Sequence, residues 1–228
     1  VGSLQRRLDE VERLGSSCVV VTAEGSFFSN GLDLAWVDHA IANGATGAAA
    51  HLTGDVNTLF ARLLCFSVPT VAALNGHWCA AGGMLGLCFD FRVMHAAHGF
   101  FFVPAVDLGI VYSGFQVELM KSVLPQHMHR DVICYNSKRW TARELAKTRL
   151  VDIAAEGVRG NTLAQALALA KTVESKGKGP ARRALGPIKR KVHAQLLAML
   201  NDGQSSSAME FSGRRTGDNY APPKSSRL

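Results

Sequence analysis

"PTVAALNGHWCAAGGMLGLCFDFRVM", residues 69–94, decides how this chain folds. "PTVAALNG" (69–76) is a small and β-branched apolar run, the pattern of a strand covered on both faces. "AAGGMLGLCFDF" (80–91) follows as a helix opened by small residues, and "RVMHAA" (92–97) as a short strand. An earlier stretch has the same order. "SSCVVVTAEG" (16–25) is a β-branched run read as a strand buried on both faces, "SFFSNGLDL" (26–34) is a turn, and a helix begins near "LAWVDHAI". A helix start carries unpaired N–H groups and a partial positive charge. Two such N–H groups converging on one point make an oxyanion hole. Gly31, Gly82 and Gly83 allow backbone to approach a ligand closely. Either turn alone is an ordinary strand-to-helix turn; the pair, separated by one helix, is more specific.

Outward from these turns, strands alternate with helices to about residue 110, and helices dominate afterwards. A helical spacing spans 3–14 through Leu4, Leu8, Val11 and Leu14. Residues 43–54, "NGATGAAAHLTG", read as a mobile loop, and 56–66 as a helix stopped by Pro69. "GFFFVP" is a short strand; 115–124 and 128–136 are helical segments. "TARELAK" (141–147) has Thr141 and Glu144 at capping-box spacing. "LVDIAA" (150–155) is strand-like, and 162–176 and 181–200 are helices, the latter kinked or broken at Pro187. No internal sequence repeat is visible. The expected division is an α/β core over 1–135, a helical region over 136–215 and a tail over 216–228. Val1 opens on a helix already under way, so strands preceding it are expected.

Composition narrows the partners. The 228 residues are 47% hydrophobic and 19% charged, enough to bury a core. The net charge of +7 suits a polyanionic partner or a phosphate-bearing small molecule. Aromatics do not interleave with the basic run "RRALGPIKRK" (182–191), so nucleic acid is not the expected partner. The five cysteines form no CxxC pair and sit in apolar surroundings, which reads as buried reduced thiols without a metal site. No apolar run reaches membrane-span length. The chain ends Ser226-Arg227-Leu228, a variant of the peroxisomal Ser-Lys-Leu signal that an import receptor reads.

"FFSNGLDLAW" and "PTVAALNGHWCAAGGMLGLCFDFRVM" resemble, in order and spacing, the two oxyanion-hole motifs of the crotonase (enoyl-CoA hydratase/isomerase) superfamily. "PAVDLGI" falls where that family places its third motif. The likeness covers roughly residues 3–200 and is nearest to the peroxisomal Δ3,Δ2-enoyl-CoA isomerase branch. It implies a spiral ββα core with a C-terminal helical layer, a homotrimer or dimer of trimers, and an acyl-CoA thioester substrate whose coenzyme A is the only cofactor. Carried over by position, the oxyanion N–H groups fall on Leu32 and on Ala81 or Gly82. Phe28, Asn30, Gly31, Leu34, Trp36 and His77 would line the substrate channel, with a structural role the favoured one for His77. Lys189, Arg190 and Lys191 would meet the coenzyme A phosphates. Asp33 and Asp90 would cap or orient backbone.

The departures from the family pattern decide the subclass. Hydratases of the family need two carboxylates, and one of those positions here is Met84, which argues against hydration. Isomerases need one base, usually a Glu, and that position is Ala105. The later position used by some members falls on Val111, Tyr112 and Ser113. Three readings stay open: Asp107 as a substitute base, although an orienting role suits it better; Tyr112 with a lowered pKa; or a chain without a base, natural or substituted. The reaction implied is removal of a C2 proton from a 3-enoyl-CoA, stabilisation of the dienolate oxygen by the N–H pair, and return of the proton at C4. The alternatives are an acyl-CoA-binding protein of the same fold and a thioesterase.

Overall fold

The computed structural model describes residues 1–200 apart from 46, 137 and 159, together with 210 and 211. In chain order the elements are α1 (Gly2–Arg13), β1 (Val19–Thr22), β2 (Phe27–Ser29), α2 (Leu34–Ala42), α3 (Ala48–Leu64), β3 (Thr70–Leu74), β4 (His77–Cys79), α4 (Ala81–Leu87), β5 (Phe91–His95) and β6 (Phe101–Phe102). A 3-10 turn at Val106–Leu108 leads to β7 (Ile110–Val111), α5 (Gly114–Val123), α6 (Ala142–Lys147), β8 (Ile153–Ala155), α7 (Gly160–Val173), α8 (Gly179–Val192), α9 (Ala194–Ala198) and β9 (Glu210–Phe211).

Two parallel sheets organise the core. One has the order β1-β3-β5-β8 and the other β2-β4-β6, while β7 and β9 form a separate antiparallel pair. Each of the first three strand pairs crosses from the larger sheet to the smaller: β1 to β2, β3 to β4, β5 to β6. The same ββ unit therefore recurs three times with no repeat in the sequence. The crossings stack on one another: His77 N–H donates to Ser26 O at 2.9 Å and Trp78 N–H to Phe100 O at 3.1 Å. Side chains at Gly76 and Gly99 would run into the Ser26 and Gly76 backbones, so the stack requires glycine there.

Thr70–Leu74 is buried throughout because both faces of β3 are covered. Val71 and Ala73 pack with Val93, Ala155, Ala166 and Ala170 beneath α7, while Ala72 and Leu74 join the main core. There Trp78 stacks on Phe101 with ring centroids 4.2 Å apart, and its indole N–H points at Met94 Sδ. β1 departs from the expected burial on both faces: only Val19 is buried and Thr22 is exposed, the strand lying at the edge of its sheet among the described residues.

Three further expectations are corrected. Residues 48–54 belong to α3, since the Ala48–Ala50 run is strongly helix-forming and Gly47, at φ 90°, makes the turn before it. α8 runs through Pro187 and ends at His193 instead. Pro187 deprives the Arg183 carbonyl of its helical donor, but both residues are exposed and water can serve. Cys134 is exposed, not buried. No helix among the described residues is long and apolar enough to cross a membrane.

Candidate active site

The two turns meet. Gly31 adopts φ +89°, and a Cβ placed on it would lie 2.9 Å from Ala80 Cβ and 3.0 Å from Ala81 N. Ala80 itself has φ 52° and ψ −133°, a conformation that costs a non-glycine residue on the order of 1–3 kcal/mol. It is held by its N–H donating to Phe102 O at 3.1 Å and by its carbonyl accepting from Met84 N–H at 3.2 Å. Gly82 packs directly on Ser29, whose side chain and carbonyl a Cβ at 82 would strike. Among the described residues nothing accepts from the N–H groups of Leu32 or Ala81. Two unpaired backbone donors on touching turns are the arrangement that can hold a developing oxyanion.

Gly31, Leu32, Ala81 and Gly82 line one wall of an open cavity of about 140 Å³. Val1, Leu4 of α1, Val56, Leu59 and Phe60 of α3, and Leu85 of α4 make up the apolar remainder. Ser29 contributes the only hydrogen-bonding side chain in this lining. An apolar slot with backbone donors in one wall matches an acyl chain ending in a polarisable carbonyl.

The third motif adjoins these turns through β6. β4 and β6 are paired with Cys79 opposite Phe102, so the chain reaches Ala105 three residues beyond the strand that steadies Ala80. Ala105 is 6% exposed. Its methyl group accepts no proton. Asp107 lies in the exposed 3-10 turn and is hydrogen-bonded by Asn136 Nδ2; neither it nor Ala105 is part of the cavity lining. The bond ties the loop to Asn136 and engages the carboxylate, an arrangement that suits an orienting role. Tyr112 fails as a base. Burial drives its phenol well above the ordinary value, and a hydrogen bond from the Ala105 N–H offsets this only in part. The Tyr112 hydroxyl donates to Val103 O at 3.4 Å. Ser113 is fully buried as the cap of α5.

Several residues assigned to the substrate channel sit elsewhere. Phe28 is in the core, edge-on to Phe89 with centroids 6.3 Å apart. His77 lies between Phe27 and Phe100, at 5.0 and 5.6 Å, which is the structural role. Asn30 accepts from the Cys79 thiol at 3.2 Å, and Trp36 is 52% exposed on α2. Leu34 opens α2 and, like Asn30 and Trp36, does not line the cavity. Burial pushes the Cys79 thiol up to about 11, so it is no thiolate nucleophile. Lys189 is corrected most clearly: it is buried, with Nζ 2.6 Å from Asp90 Oδ2, and is closed to a phosphate. Arg190 and Lys191 remain exposed. Asp90 accepts from the Thr70 N–H and hydroxyl at 2.8 and 3.1 Å, and Asp33 accepts from Trp36 N–H at 3.0 Å, so both orient backbone as expected.

Sequence reasoning missed two features. One is Ser29, signalled only by a serine two residues ahead of the glycine it bonds. The other is a fully buried cluster in which Asn57 Nδ2 donates to Ser113 Oγ at 3.2 Å and Gln116 Nε2 to Asn57 Oδ1 at 3.4 Å. It fastens the end of the Ala105 loop to α3.

Comparison with known proteins places this chain in a family. It belongs to the enoyl-CoA hydratase/isomerase family, whose model matches residues 7–208. Among curated relatives, it is 35% identical over 142 residues to the peroxisomal enoyl-CoA delta isomerase 2 of Arabidopsis thaliana, a match covering 61% of this chain and 58% of that protein. In solved structures, an enoyl-CoA isomerase of Mycobacterium tuberculosis superposes with TM-score 0.77 at 22% identity, covering 90% of this chain and 86% of that one. Human mitochondrial Δ3-Δ2-enoyl-CoA isomerase gives 0.69 at 18% identity, covering 89% and 77%. These two likenesses establish the crotonase fold.

Proposed function

We propose that this chain binds an acyl-CoA thioester with the carbonyl oxygen between the Leu32 and Ala81 N–H groups, on a site laid out for Δ3,Δ2-enoyl-CoA isomerisation. The observation that carries this reading is the contact of the two turns at Gly31 and Ala81, with both N–H groups unpaired among the described residues and both residues lining an apolar cavity. In the reaction the site is laid out for, a base removes the C2 proton of a 3-enoyl-CoA. The electrons delocalise onto the thioester oxygen, the N–H pair stabilises that charge, and the proton returns at C4 as the double bond moves to C2–C3. With Ala105 at the base position and neither Asp107 nor Tyr112 able to replace it, the chain as it stands holds and polarises its ligand without abstracting the proton. Function in peroxisomal β-oxidation, import through Ser226–Leu228, a trimeric assembly built on the C-terminal helices, and phosphate contacts from Arg190 and Lys191 complete the proposal. The terminal tripeptide lies outside the described residues. The relatives' names and the family match support the lineage.

Titration with hexanoyl-CoA by calorimetry tests the binding claim. Saturable one-to-one binding by the unaltered chain is expected. No heat at millimolar ligand, from a protein that is folded by circular dichroism, contradicts it.

A further inference from the structure

We infer that the Ser29 hydroxyl is a third donor to the bound thioester carbonyl, beside the two backbone N–H groups. This inference rests on the acyl-CoA reading above. Ser29 closes β2, two residues before Gly31, and its Oγ accepts the Gly31 N–H at 3.3 Å. A serine hydroxyl has one hydrogen to give and two lone pairs. The bond from Gly31 uses a lone pair and leaves the hydrogen. Among the described residues nothing accepts that hydrogen.

Placement aims the group at the ligand. Ser29 is the one side chain in the cavity lining able to hydrogen-bond, and the lining otherwise consists of alkyl and phenyl groups and the two turns. It touches both turns at once: Gly31 through the hydrogen bond and Gly82 through direct packing that admits no Cβ. A donor held between the two turns that carry the Leu32 and Ala81 N–H groups lies beside the point on which they converge. A hydroxyl left facing alkyl groups forfeits its hydrogen bond on ligand entry unless the ligand supplies an acceptor. In an acyl thioester, the carbonyl oxygen is the acceptor nearest that end of the slot. Ser29 thereby gives the otherwise apolar cavity a preference for a ligand with oxygen at this depth.

The test uses a chromophoric thioester, hexa-2,4-dienoyl-CoA, whose absorption moves to longer wavelength as donors pull charge onto its carbonyl oxygen. The unaltered chain is expected to bind it with a red shift. At saturation, Ser29→Ala is expected to show a red shift smaller by roughly a third, one donor in three, and binding weaker by about tenfold. Ser29→Cys keeps the packing against Gly82 while offering a poor donor, so its shift falls with that of Ser29→Ala although its thermal stability stays near the parent's. A full shift at saturation in Ser29→Ala, or in Ser29→Cys where the alanine variant does not fold, overturns the inference and leaves Ser29 a spacer. Absence of binding by the unaltered chain overturns the acyl-CoA reading itself, which is a distinct result.

Discussion

The paired turns at Gly31 and Ala80–Gly82 and the loop from Ala105 to Tyr112 are neighbours joined through β6, yet they carry chemistry in different ways. The turns act through backbone. Their principal donors are peptide N–H groups, reached because side chains are absent at Gly31 and Gly82, with Ser29 the one side chain set between them. The loop could act only through a side chain, and at position 105 that side chain is a methyl group. Ala105 is buried between strand β6 ahead of it and the Asp107–Asn136 bond after it. Donors of this kind belong to the architecture, whereas a base at position 105 would rest on a single side chain.

The sharpest way to break this contrast is to damage the backbone site. Gly82→Ala forces a methyl group into Ser29 and parts the two turns. Hexanoyl-CoA binding is expected to fall by roughly 100-fold, in keeping with an overpacking cost of about 1–3 kcal/mol concentrated at the ligand. Near-parental affinity would show that the turns are not where the ligand sits. Next in size is Lys189→Ala, which strands Asp90 beneath β3. A buried pair costs about 3–5 kcal/mol to break, and the partial exposure of Asp90 reduces this to roughly 2–3 kcal/mol, read by urea unfolding. Acyl-CoA affinity should not change in the folded fraction, because Lys189 is not a phosphate ligand.

Smaller effects come from the periphery. Glu144 is held down to about 2, first by Lys138 and then by the Thr141 N–H and hydroxyl. Its folded pKa is below its unfolded one, so its contribution is present above about pH 4.5 and is lost as the pH falls toward 2. Glu144→Gln keeps the capping geometry and should flatten the stability profile across that window only. Thermal melts from pH 6 to 2.5 would show an unchanged slope if the pairing is inconsequential. The smallest effect belongs to Asp107→Asn, with stability within about 0.5 kcal/mol of the parent and unaltered ligand affinity. A larger loss of affinity would restore Asp107 to the site.

Much of this was legible in the residues. The all-buried β3, the small-residue start of α4 and the Thr141–Glu144 box are local patterns, and the structure keeps each of them. The close approach of the two turns was readable because glycine marks where backbone must come close. The edge position of β1 was not readable, since a β-branched run looks the same in the middle of a sheet and at its rim. Lys189 was misplaced for a similar reason: a basic run shows charge, but only packing shows that one of its members turns inward to Asp90. Phe28 and Trp36 lie in one motif, yet one is core and the other faces solvent. Ser29 was passed over because its role depends on Gly82, more than fifty residues away.

The central claim is that position 105 alone separates this site from a working isomerase. Conversion of a 3-enoyl-CoA to the 2-enoyl product, followed for the chain beside its Ala105→Glu variant, tests it most directly. A positioned base contributes about 10²–10⁴-fold, so turnover is expected in the variant and essentially none in the unaltered chain. Equal, substantial turnover by both would contradict the claim and place the base elsewhere.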